Sequence, residues 1–179
     1  MDTTRDGRAT EALLAATLGY TGKALAMLSV AAGDSASTLS EGRRALLGAT
    51  VAHSRGDAEA VTRLIGPIAP GARRTVNPGS VLAYWMLADA YERRGRLDSA
   101  AIWFGALLDI TRLANDDFFG SGWGYTHSFA HWRLARIHVG RGDRARAREH
   151  AAAFLKAFRR PDPELSWMVE EARRYASTR

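Results

Sequence analysis

His127, His131 and His138 stand at i, i+4 and i+11, close to one face of a helix. The first two have the spacing of a two-histidine metal site. Asp116 and Asp117, just upstream, could complete a tetrahedral zinc sphere. No His-Glu-x-x-His is present, and His131 and His138 stand at the spacing of Tyr84 and Tyr91 in an earlier stretch, where packing between helices is the expected role. Packing is therefore the preferred reading, and neither a metal nor another cofactor is expected. A second candidate is the stretch Asn115–His127, with Asp116, Asp117, Phe118, Phe119, Trp123 and Tyr125 among several glycines. Glycines admit close backbone approach and aromatic rings supply stacking surface, so the loop could serve as a lid over a small ligand. The alternative is a loop tucked onto a neighbouring groove by its own rings.

Other chemistry is thinner. There is no cysteine, which excludes disulfides, thiolate zinc sites and a cysteine nucleophile. Gly-x-Ser-x-Gly, phosphate-loop and dinucleotide motifs are absent from the sequence, so no catalytic residue is nominated and an enzyme is not expected. Arg141, Arg144, Arg146 and Arg148, followed by Lys156, Arg159 and Arg160, form the densest basic cluster. Such a cluster suits phosphates or acidic peptides. No aromatic residue interleaves with Arg141, Arg144, Arg146 and Arg148, which argues against a nucleic-acid stacking surface and for a solvated helix face. Arg-Gly-Asp occurs at 55–57 and 141–143, both times where a turn is expected.

The elements that must position these residues read as helices. The 179 residues suffice for one domain with its own core. Hydrophobic residues make up 46% and charged residues 25%, the balance of a water-soluble globular chain. Ala, Leu and Arg are abundant and β-branched residues sparse, which favours helix over strand. The net charge is +6, with 9 Lys/Arg against 8 Asp/Glu in residues 1–90 and 16 against 11 in residues 91–179. The polar start does not read as a secretion signal, and no apolar run approaches the ~18 residues of a membrane span. A cytoplasmic location is expected, with no membrane insertion by this segment.

Helical pairs are expected at about 8–32, 39–66, 81–113 and 128–160, and a terminal helix at 163–177. Ser80 is the expected N-cap of the third pair and Asp162 of the last helix. Two pairs share their offsets: Tyr84, Leu87, Ala88, Tyr91, Gly95, Ala100 and Phe104 match His131, Leu134, Ala135, His138, Gly142, Ala147 and Ala151. In the 39–66 pair Ala60 falls one place early after Gly56, which marks that copy as degenerate. One such unit cannot bury its apolar face alone, so the units must stack. Gly95 and Gly142 are 47 residues apart, against about 34 in a simple tandem, so residues 115–127 read as an insertion.

Tyr84-x2-Leu87-Ala88-x2-Tyr91 with Ala100-x3-Phe104 resembles the tetratricopeptide (TPR) repeat signature. Ala153-Phe154-Leu155-x2-Phe158, Asp162-Pro163-x-Leu165 and Glu171-Ala172-Arg173 are similar to the closing segment of TPR regions in large bacterial signalling proteins. The resemblance implies an all-α, right-handed solenoid of antiparallel helix pairs sealed by a capping C-terminal helix, all in a single domain spanning 1–179. It further implies a docking module of a signalling or regulatory system, with a concave groove that takes a protein or peptide segment. By position that groove would present Trp85, Asp89, Glu92, Arg93, Trp132 and Arg136, the alternative for the two tryptophans being to pack against the final helix or the inserted loop. The family's carboxylate-clamping asparagines and lysines are missing here, which speaks against recognition of a peptide C-terminus. The alternative function is a small-ligand sensor that uses the 115–127 loop.

Overall fold

A computed structural model describes residues 41–70, 78–112, 124–158, 161 and 163–177. Among them every regular element is helical: α1 (Glu41–Ser54), α2 (Ala58–Ile65), α3 (Pro78–Arg93), α4 (Leu97–Thr111), α5 (Gly124–Gly140), α6 (Arg144–Ala157), a 3-10 turn at Pro163–Leu165, and α7 (Ser166–Ser177). The pair expected at 8–32, the cap expected at Asp162 and the 115–123 part of the insertion lie outside the described residues.

The three hairpins α1–α2, α3–α4 and α5–α6 close with the same turn. Gly56, Gly95 and Gly142 have φ of 75°, 71° and 73°, a left-handed conformation that costs glycine nothing and other residues about 1–2 kcal/mol. Each glycine N–H donates to the carbonyl three residues back, on His53, Glu92 and Val139 at 3.0, 2.9 and 3.0 Å. The next residue's N–H reaches five back, to Ala52, Tyr91 and His138, at 2.9 Å in all three. This double bond pattern satisfies carbonyls that a helix end leaves open. Asp57 and Asp143 then cap the return helices, accepting from the N–H of Ala60 and Arg146 at 2.9 and 3.1 Å. In the middle hairpin Arg96 takes that place without a side-chain cap.

Counting from these glycines exposes the register. Seven residues before them stand Ala49, Ala88 and Ala135; five after, Val61, Ala100 and Ala147; nine after, Ile65, Phe104 and Ala151. All nine are buried. The first hairpin therefore keeps the same register as the others, with Val61 rather than Ala60 in the small-residue slot. Two boundaries differ from expectation. α3 begins at Pro78, so Ser80 is not its cap but a buried residue of its first turn; proline suits a first turn, where its missing N–H has no partner to lose. α5 begins at Gly124, so Tyr125, Thr126 and His127 belong to the helix and not to the loop.

Each helix packs on the next, and α1 also touches α3, α3 touches α5, and α5 touches α7. α3 is central: Val81–Tyr84 and Met86–Ala90 are buried. α5 is covered on two sides. Ala130, Leu134 and Ile137 join the core that it shares with α1–α4, while Trp132 and Ala135 join a second core with Phe154 and Phe158 at the C-terminal side of α6 and Met168, Val169 and Ala172 of α7. A helix covered twice carries apolar residues around most of its girth. Among the described residues no helix is long and apolar enough to cross a membrane.

Candidate functional site

The first helices of the three hairpins meet at one carboxylate. Asp89 of α3 is 4% exposed, set between the buried residues Ala88 and Ala90. A buried carboxylate must be paired and hydrogen-bonded to persist in charged form. His53 of α1 reaches it with Nε2 at 2.9 Å; since an ionised carboxylate has no proton to give, Nε2–H is the donor. Arg93, one turn further along α3, donates Nε–H to the same oxygen at 2.6 Å. Arg133 of α5 pairs with the other oxygen and donates Nε–H to Glu92 at 2.7 Å. Burial pushes the Asp89 carboxyl up, but the His53 hydrogen bond and the charges of Arg133, His53 and Arg93 outweigh it and hold the group at about 2.

Arg133 is held on its faces as well as its edges. Its guanidinium carbon lies 6.0 Å from the Trp85 ring centre and 5.7 Å from that of Phe104, within cation–π range. Trp85 meets Phe104 edge-on at 5.6 Å. Within the cluster Asp89 and Glu92 offset the charges of Arg93 and Arg133. Its chemistry follows from that saturation. A carboxylate held near 2 with three donors on it is a poor general base at neutral pH. It serves as a clasp joining α1, α3 and α5.

A second cluster ties α5 to α7. Trp132 is 5% exposed, and its indole N–H donates to Glu171 at 2.8 Å. Tyr175 O–H donates to the other Glu171 oxygen at 2.7 Å, and burial together with that bond pushes the phenol up to about 12. The Arg136 guanidinium covers the Trp132 ring at 4.8 Å and lies 3.8 Å from Glu171. Trp167 of α7 meets Trp132 edge-on at 5.4 Å and is itself 57% exposed.

The six expected groove residues thus fall into two groups. Trp85, Asp89, Glu92 and Arg93 share the first cluster; Trp132 and Arg136 share the second. Arg93 and Arg136 keep part of their guanidinium surface open to solvent, while Asp89 and Trp132 are enclosed. Of the loop candidates, Asp116, Asp117, Phe118, Phe119 and Trp123 lie outside the described residues. Tyr125 is 60% exposed and stacks on Phe158 at 6.3 Å. Among the described residues no three His, Cys, Asp or Glu side chains gather as a metal site.

Sequence reasoning passed over His53, Arg133, Glu171 and Trp167. The signal for the first two was Asp89 itself: an acid flanked by alanines on a helix that must be buried calls for cations on both neighbouring pairs. Glu171 stands at the edge of the apolar face of the last helix and turns inward to Trp132. No family model matches this chain, and no curated protein or solved structure is significantly similar to it.

Proposed function

We propose that this chain is a protein-docking module that receives a protein or peptide segment along the face formed by α1, α3, α5 and α7. In this reading the hairpins form a TPR-like right-handed solenoid, and the chain serves a bacterial signalling or regulatory system. The observation that carries the reading is the Asp89 clasp. It links the first helices of three successive hairpins through one buried carboxylate, and so fixes their spacing before any partner arrives. A face held rigid in this way loses little entropy on binding. The successive touching of α1, α3, α5 and α7 supports a stack whose first helices line one side.

Beside the two clusters, Arg93, Arg136 and Trp167 stay open to a partner. Arginine offers a planar fork to carboxylates, and tryptophan offers a large area with few rotamers. The test is affinity capture of partners by the wild-type chain, by Arg93→Glu/Arg136→Glu, and by Arg148→Glu on the exposed side of α6. Partners kept by Arg148→Glu and lost by the double variant support the face. The same partners retained by all three chains remove it.

A further inference from the structure

α5 and α6 meet across a row of imidazoles. His127, His131 and His138 stand on α5 and His150 on α6. His131 Nδ1 and His150 Nδ1 are 2.9 Å apart. The His138 and His150 rings lie nearly parallel, 9° apart with centres at 5.5 Å, and His127 meets His131 edge-on at 5.0 Å. Thr111, the last residue of α4, extends the row. Its hydroxyl donates to the Leu107 carbonyl at 2.7 Å, so it must accept from His127 Nδ1–H at 2.6 Å. The row therefore spans three helices.

A 2.9 Å contact between two imidazole nitrogens has room for one proton. One Nδ1 donates and the other offers its lone pair, so the two rings are in opposite tautomers. One added proton still leaves an N–H···N bond, from an imidazolium to a neutral ring; with both rings protonated, two N–H groups face each other on rings of like charge. His138 Nδ1 is buried with no hydrogen-bond partner among the described residues; Asp143 Oδ2 is 3.7 Å away. The charged groups acting on the row come from the α5–α6 turn and from α6. Asp143 and Glu149 favour protonation of His138, while Arg141 and Arg146 oppose it; Glu149 and Arg146 act on His150 in the same opposed way. α4 contributes the Thr111 hydroxyl.

We propose that this row is an acid-sensitive latch: protonation of both His131 and His150 breaks the bond between them, parts α6 from α5, and releases α7, which packs on both. Burial lowers all four imidazoles below their ordinary value. For His131, burial and then the neighbouring His150 and His127 bring it to about 4. The unfolded chain thus binds more protons between pH 6.5 and 4. Stability is full above the unfolded value and is lost as pH falls through that window. From His131 alone, the ratio of folded to unfolded chain falls about 20-fold between pH 7 and pH 5. The latch does not depend on the docking face having a partner.

The test uses the full chain. Urea unfolding is followed by tryptophan fluorescence, to which Trp132 and Trp167 at the α7 contact contribute, at pH 7 and pH 5, for wild type and for His131→Phe/His150→Leu. Wild type is expected to lose about 20-fold or more in its folding equilibrium, and the double variant to lose at least several-fold less. A parallel titration of the histidine ring signals in the wild-type protein decides the matter if the variant does not fold. His131 and His150 signals that move only below the ordinary imidazole value support the latch. Identical pH dependence in the two chains, or ring signals titrating at the ordinary imidazole value in the folded protein, overturns it.

Discussion

Asp89→Asn keeps the shape of the side chain and removes its charge, so it isolates what the carboxylate does for the stack. A carboxyl held at about 2 rather than 3.8 favours its charged form in the fold by about 2 kcal/mol. The side chain is 6% exposed, so little of this is screened by solvent. The amide can accept through one oxygen only and turns its NH2 toward donors that have no use for it. Arg133, itself largely enclosed, is left with Glu92 as its anionic partner. The expected cost is about 2–4 kcal/mol, the upper end approaching that of breaking a buried pair. The assay is urea unfolding followed by circular dichroism at pH 7, above the histidine window. The sign of the acid response follows from the same shift. Because the folded value lies below the unfolded one, the contribution is present above pH 3.8 and is lost as pH falls toward 2. The variant must lack that component. A loss under about 0.5 kcal/mol at pH 7, within the range of an ordinary surface substitution, would refute the claim that this carboxylate holds three helices together.

Three further outcomes are expected. Gly95→Ala costs about 1 kcal/mol, since a Cβ there meets nothing within 4 Å but must adopt a φ of 71°; thermal or urea unfolding that matches wild type would count against the shared turn. Phe104→Ala costs about 3–5 kcal/mol, because the ring is fully buried and leaves a cavity beside Trp85 and Arg133; a loss below 1 kcal/mol in the same assay would remove it from the core. Asp57→Ala costs about 1 kcal/mol through the lost bond to the Ala60 N–H, and an unchanged unfolding midpoint would show that water caps α2 equally well.

Local grammar made the helices legible. Gly56, Gly95 and Gly142 announced the hairpin turns, and Ala88, Ala100, Leu87 and Phe104 the surfaces that must pack. The first hairpin was harder to read: its slot is filled by Val61, next to an alanine that looked like the better match. The site was legible in one half. Asp89, Glu92 and Arg93 fall within one turn of α3, so spacing groups them. His53 and Arg133 stand 36 and 44 residues from Asp89, and no local pattern links them. The histidine row shows the same limit. Helical spacing grouped His127, His131 and His138 on α5, whereas His150 joins them from the facing helix, and the contact that matters most is the one between helices. Trp132 carried two readings, groove surface or seat of the last helix; the Glu171 bond and the Trp167 contact put it under α7.

The most direct test of the docking claim is hydrogen-exchange footprinting of the chain alone and with a captured partner. The account predicts slowed exchange along α3, α5 and α7, strongest around Arg93, Arg136 and Trp167. Slowing confined to α2, α4 and α6 would contradict it.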